Sequence, residues 1–211
     1  MTLDEALAEA PVVAIVRGVR PDEVLDHAQA LYEAGVRGVE APLNSPEPIE
    51  SIRRLAQVFG ERMAVGAGTV LSAGAAEEVA RAGGRIIVSP NTVPEVIRRA
   101  VAMRLDPVPG FATATEAFLA IEAGARHLKL FPAVTYGPAH VKQLRAVLPP
   151  EVIIWAVGGV GAADLAGWWE AGVRAFGLGG ELYRAGQPAS ETFDKARRVV
   201  TLLRELRTPA A

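Results

Sequence analysis

Eight short runs of apolar, often β-branched residues recur along the chain, and each is followed by a stretch of helical spacing about one helix long. The first four are VVAIVRG from Val12, GVEAPL from Gly38, MAVGAGTV from Met63 and RIIVSP from Arg85. DPVPGFA from Asp106, HLKLFPA from His127, VIIWAVGGV from Val152 and AFGLGG from Ala175 follow. This alternation predicts parallel strands joined by right-handed helical crossovers. Eight such units in order can close into a (β/α)8 TIM barrel, which leaves no sheet edge unpaired. A doubly wound open sheet is the alternative, but no Gly-x-Gly-x-x-Gly dinucleotide fingerprint opens the first helix.

The punctuation agrees with that period. PDEVLDHAQALYEAG places Pro21 in a first turn with acidic residues behind it and Gly35 as a C-cap. The same Ala-Gly ending returns at Gly83, Gly124 and Gly172, closing alternate helices. Thr2 to Ala10 predicts an extra short helix beneath the barrel floor, and Ser190 to Arg207 the closing outer helix. No linker or low-complexity segment divides residues 1–211, so one barrel domain is expected.

Composition narrows the function. Half the residues are hydrophobic, enough for a sizeable core, and 22 basic against 24 acidic residues give a net charge of −2. Neither nucleic acid nor a membrane surface is an expected partner. The absence of cysteine excludes disulfides, thiolate metal sites and cysteine nucleophiles. The acidic start MTLDEALAEA lacks the features of a signal peptide, and no charge-free stretch is long enough to span a bilayer. A soluble, cytoplasmic protein is expected. No Walker A motif or metal-ligand spacing occurs, and the three histidines are scattered. His27 and His140 are expected on helix surfaces, and His127 is expected to line the barrel below Lys129.

In a barrel of this kind the chemistry sits at the C-terminal strand ends. The chain has only three lysines, and Lys142 and Lys195 fall in amphipathic helices as replaceable surface charges. Lys129 lies within a strand, between leucines. Alternation puts His127, Lys129 and Phe131 on one face, inward if Leu128 and Leu130 pack on the helices. Burial lowers a lysine pKa and frees an amine that attacks carbonyls. Glu40 is inward by the same reasoning and can shuttle protons beside an imine. The bland reading is an ion pair of Glu40 with Lys129 or Arg17. Arg17 offers a planar fork for a substrate carboxylate, or a rim ion pair, and Thr69 a hydroxyl for the same carboxylate. Pro90, closing the fourth strand, and Phe131 complete the expected pocket. The pairs Gly158-Gly159 and Gly179-Gly180 close strands seven and eight, where barrels bind phosphate through backbone amides; tight-turn glycine is the alternative.

These residues resemble the class I aldolases of 2-dehydro-3-deoxy-6-phosphogluconate and 2-dehydro-3-deoxy-6-phosphogalactonate. The resemblance spans nearly the whole chain. It is carried in order by AIVRG, GVEAPLNSP, GAGTVL, IVSPN, PGFATATEA, LKLFPA, AVGGV and LGGELYRAG. It implies that Lys129 forms the Schiff base and Glu40 gives and takes the proton. It also implies that Arg17 and Thr69 hold the carboxylate, and that Gly158, Gly159, Gly179 and Gly180 bind phosphate. The expected partner is a phosphorylated sugar acid, the expected assembly a homotrimer, and the expected chemistry free of metal or cofactor. PLNSP, the ATATEA stretch and valine before Gly158 resemble the galactonate branch, with gluconate as the alternative substrate. Phe111 departs from that branch's usual smaller residue, and Gly180 from the family's usual serine. A barrel enzyme without a lysine imine and a non-catalytic phosphosugar-binding protein are the rival readings.

Overall fold

The computed structural model describes residues 1–207; the last four positions of the expected 1–211 domain lie outside the described residues. The strands are β1 (Val12–Ile15), β2 (Gly38–Pro42), β3 (Ala64–Gly68), β4 (Ile86–Val88), β5 (Asp106–Val108), β6 (Gly110–Phe111), β7 (His127–Leu130), β8 (Ile153–Val157) and β9 (Ala175–Leu178). They form one parallel sheet in the order β5-β4-β3-β2-β1-β9-β8-β7-β6. The two ends of that order are halves of a single sequence run. Pro109 has no N–H to donate and divides it. Asp106–Val108 pairs with β4, Gly110–Phe111 pairs with β7, and the Pro109 carbonyl accepts from Lys129 N–H at 2.9 Å. The eight expected strands are therefore present, the fifth in two pieces, and the barrel closes through it.

Helices α1 (Leu3–Glu9), α2 (Val24–Glu33), α3 (Pro48–Phe59), α4 (Ala73–Arg81), α5 (Pro94–Ala102), α6 (Ala114–Glu122), α7 (Ala133–Arg145), α8 (Leu165–Glu170) and α9 (Ala189–Arg207) alternate with the strands. Four of them end at Ala-Gly, where Gly35, Gly83, Gly124 and Gly172 take φ of 99, 89, 105 and 104°. Glycine pays no Cβ penalty in that left-handed position. Regular α2 begins at Val24, after a turn through Pro21.

Two apolar layers follow from strand alternation. Val12, Ala14, Val39, Ala41, Leu128 and Leu130 face the helices. Val13, Ile15, Ala64, Ile86, Val108 and Trp155 fill the barrel interior, together with Leu3, Ala6 and Leu7 from α1, which plugs the floor as expected. His127 is buried above that plug. It accepts at Nδ1 from Trp155 Nε1–H (3.1 Å), so the proton sits on Nε2, which bonds Asp4 Oδ1 at 3.1 Å.

Three surface expectations are corrected. His27 is buried at the contact between α2 and α9, with Nδ1 2.9 Å from Thr192 Oγ1 and its ring edge-on to Tyr183. His140 is half-buried and donates from Nε2 to the Ala112 carbonyl at 2.7 Å. Lys195 is partly covered and donates to Gln187 Oε1 at 3.0 Å, whereas Lys142 is exposed. Among the described residues no helix is long and apolar enough to cross a membrane.

Candidate active site

The C-terminal ends of β1, β2, β3, β7, β8 and β9 surround a cavity of about 900 Å³. Lys129 and Glu40 form part of its wall, only 6% and 2% exposed. Both point inward because their strand neighbours Leu128, Leu130, Val39 and Ala41 are committed to the outer layer. The Lys129 Nζ stands 4.4 Å from the centroid of the Phe131 ring, which lines the same cavity. Glu40 Oε2 is fully buried with no hydrogen-bond partner among the described residues. A direct ion pair through that oxygen is therefore absent, although the two charges act on one another.

Burial sets the protonation of both groups. Desolvation pulls the Lys129 amine down to about 8; the Glu40 charge opposes this fall and the Arg17 charge assists it. Desolvation pushes the Glu40 carboxyl up to about 7, against the fields of Lys129 and Arg17 and the Gly68 backbone. Near neutral pH a usable fraction of the amine is neutral, and the carboxyl stands close to its own midpoint.

The carboxylate seat is made by a glycine that sequence reasoning passed over. Gly68 lies flat against Glu40, and a Cβ there would overlap both carboxylate oxygens. The signal was available in GAGTV, where positions 66 and 68 are both inward and both lack a side chain. Thr69, the next residue, lines the cavity in the left-handed region at φ 58°, a strained position for a β-branched residue. Arg17 is exposed at the cavity wall and donates from Nη1 to Asn44 Oδ1, an amide in place of the carboxylate that the alternative rim ion pair calls for.

The two glycine pairs differ. Gly158 and Gly159 take φ of 94 and 73°, so the backbone itself demands glycine. Gly179 and Gly180 do not have positive φ and have room for a side chain. Leu182 and Tyr183 N–H both donate to the Gly179 carbonyl, closing a turn after that pair. Among the described residues, the N–H groups of Gly159, Val160, Gly180 and Glu181 donate to no backbone carbonyl.

One expectation changes. Pro90 is not among the residues that line the cavity; its carbonyl packs against Gly110, where a Cβ would collide with it. Phe111 is 2% exposed in the outer layer and does not enter the pocket. A second depression of about 680 Å³, lined by exposed Arg53, Arg62, Arg81 and Arg85, lies between α3 and α4. It holds no buried titratable side chain.

Residues 3–199 match the family model for KDPG and KHG aldolase. The chain belongs to that aldolase family. This aldolase is 48% identical over 195 residues to the 2-dehydro-3-deoxy-6-phosphogalactonate aldolase of Escherichia coli K12, covering 92% of this chain and 95% of that one. A solved native KDPGal structure superposes with a TM-score of 0.92 at 47% identity, covering 94% of this chain and 96% of that one. The same TM-score and identity are found with a chain of a cube-shaped, highly porous protein cage designed by fusing symmetric oligomeric domains. That match covers 93% of this aldolase and 73% of the cage chain.

Proposed function

We propose that this aldolase cleaves 2-dehydro-3-deoxy-6-phosphogalactonate to pyruvate and glyceraldehyde 3-phosphate through an imine on Lys129. One observation carries the reading: a buried amine and a buried carboxyl group wall a single cavity, each moved by burial toward its neutral form.

The neutral Lys129 amine adds to the C2 ketone, and the carbinolamine loses water to give an iminium. Glu40, through a water, takes the proton of the C4 hydroxyl. The C3–C4 electron pair then moves onto the iminium, leaving an enamine, and C4 departs as the aldehyde carbon of glyceraldehyde 3-phosphate. The proton returns to C3, and water hydrolyses the iminium to pyruvate and free Lys129. The iminium is itself the electron sink, so the proposed steps call for no metal or cofactor. Arg17 and Thr69 hold the carboxylate end, and Phe131 walls the reacting carbons. The backbone of Gly158, Gly159, Gly179 and Gly180 receives the phosphate, supported by the unpaired N–H groups there. Binding at both ends orients the bond to be broken.

The galactonate epimer is favoured by the PLNSP and ATATEA stretches and by the similarity to the E. coli enzyme. A lactate dehydrogenase-coupled assay of pyruvate release, run on both C4 epimers, tests it. The higher kcat/KM is expected for galactonate. A higher value for gluconate would replace the substrate, and no pyruvate from either would overturn the aldolase reading.

The reading takes residues 1–211 as one domain, working in the cytoplasm as a homotrimer. Exposed Val101 on α5 with Phe118 and Leu119 on neighbouring α6 supports self-association, as does the symmetric oligomer in the related cage. Light scattering at three chain masses is expected; a monomer mass would exclude the trimer.

A further inference from the structure

We propose that Arg184 determines specificity for the phosphorylated end of the substrate, its guanidinium gripping the phosphate in the space left by the missing side chain of Gly180. The proposal rests on reading the cavity as a phosphosugar-acid site.

Arg184 lines the cavity beside Gly158, Gly159 and Gly180. Its side chain is exposed and forms no hydrogen bond or ion pair among the described residues. Many arginines of this chain are engaged: Arg37 with Glu9, Arg54 with Glu50, Arg99 with Glu77, and Arg145 and Arg174 with backbone carbonyls. Of the three basic side chains on the cavity wall, Arg17 is tied to Asn44 and Lys129 is buried in the field of Glu40. Arg184 is the one whose planar donor fork is uncommitted.

Its placement follows from Gly180. A Cβ built on Gly180 would find Arg184 Nε at 3.9 Å and no other atom within 4 Å. Because φ at Gly180 is not positive, the backbone does not demand glycine there. The missing side chain leaves open the path between the N–H groups of the turn and the guanidinium. A larger residue would lie across that path.

The base of the side chain is fixed. Tyr183 Oη–H donates to Glu23 Oε1 at 3.2 Å, Gln187 Nε2 donates to the Leu182 carbonyl at 2.9 Å, and Gln187 N–H donates to the Arg184 carbonyl at 3.1 Å. A Cβ on Gly18, next to Arg17, would sit 3.3 Å from Ala185 Cβ, so the segment after Arg184 also rests on the β1 loop. The guanidinium is exposed, and the backbone at its root is held.

Electrostatics gives the reason for a cation. Glu181 lines the same end of the cavity, and a phosphate dianion beside a carboxylate is disfavoured unless a positive charge offsets it. Backbone amides contribute hydrogen bonds but no net charge. A guanidinium contributes both, with two parallel N–H···O bonds to one phosphate.

Glycerol 3-phosphate is a non-reacting probe for this end of the site. Its binding to the full-length protein is to be measured by calorimetry for wild type, Arg184→Ala, Arg184→Lys, and Arg184→Ala combined with Gly180→Ser. Loss of a charge-assisted contact raises Kd about 10- to 100-fold in Arg184→Ala. Arg184→Lys falls between, keeping the charge and losing the fork, and Gly180→Ser recovers part of the loss by restoring a hydroxyl. In turnover, kcat/KM falls for the phosphorylated sugar acid far more than for the same acid without phosphate. Equal Kd for wild type and Arg184→Ala, or equal loss of turnover on both acids, would overturn the proposal. Failure of the aldolase reading shows separately, as wild type that binds the probe and releases no pyruvate.

Discussion

Gly68 and Glu40 are in face-to-face contact on adjacent strands, and the carboxyl group occupies the volume that any side chain at 68 would take. The strand next to Glu40 thus limits where its carboxyl group can sit by steric exclusion, without a side-chain hydrogen bond to Oε2. Gly68→Ala is expected to retain the barrel by circular dichroism while kcat falls about 100-fold, the scale on which catalysis responds to ångström misplacement. Undiminished kcat would remove Gly68 from the positioning of Glu40.

The coupling between Glu40 and Lys129 gives a signed pH effect. The Glu40 charge raises the Lys129 pKa, so removing it in Glu40→Gln lets burial and Arg17 pull the amine further down. The pH midpoint for trapping pyruvate on Lys129 with borohydride is expected to fall below that of the wild type, while overall turnover drops. Arg17→Ala shifts the midpoint the other way, since the Arg17 charge lowers the amine. A midpoint that rises in Glu40→Gln contradicts this electrostatic picture.

Burial of the Lys129 amine costs stability. A lysine whose folded pKa is depressed contributes least below that pKa, where the buried amine is charged. Lys129→Met removes the charge, and Glu40, released from its field, takes up a proton and becomes neutral as well. At pH 7 the variant is expected to gain about 1–3 kcal/mol in thermal or denaturant unfolding, with activity abolished. A less stable Lys129→Met would show that the pair is a net stabilising ion pair.

Thr69 holds a left-handed backbone that glycine would hold without strain. Thr69→Gly is expected to raise stability by about 1 kcal/mol and to raise KM by removing the hydroxyl from the carboxylate end. A lower KM would exclude that hydroxyl from binding.

The floor of the barrel is closed by Leu3, which is 0% exposed in the interior layer. Leu3→Ala is expected to destabilise the protein by about 2–5 kcal/mol, as other buried leucine truncations do. Calorimetric unfolding measures it, and a change below about 0.5 kcal/mol, the usual range for surface positions, would show that α1 does not seal the barrel.

Much of this was legible in the chain. Alternation in HLKL was enough to turn Lys129 inward, because the two leucines have only the helix layer to occupy. The Ala-Gly endings marked helix termini through one local conformational need. What escaped depends on residues far apart in sequence. His27 has its partner Thr192 165 positions away, so nothing local distinguishes it from a surface histidine. Pro90 stands at a strand end like its neighbours, and nothing local shows that it lies off the cavity with its carbonyl packed against Gly110. The division of the fifth strand was written in Pro109, but its use as the closing seam depends on both flanking strands.

Borohydride reduction in the presence of pyruvate, followed by peptide mass spectrometry, tests the imine most directly. We expect a reduced pyruvate adduct on Lys129, none on Lys142 or Lys195, and loss of pyruvate release in step with its formation. Full modification elsewhere, or full turnover with Lys129 unmodified after reduction, would contradict the assignment.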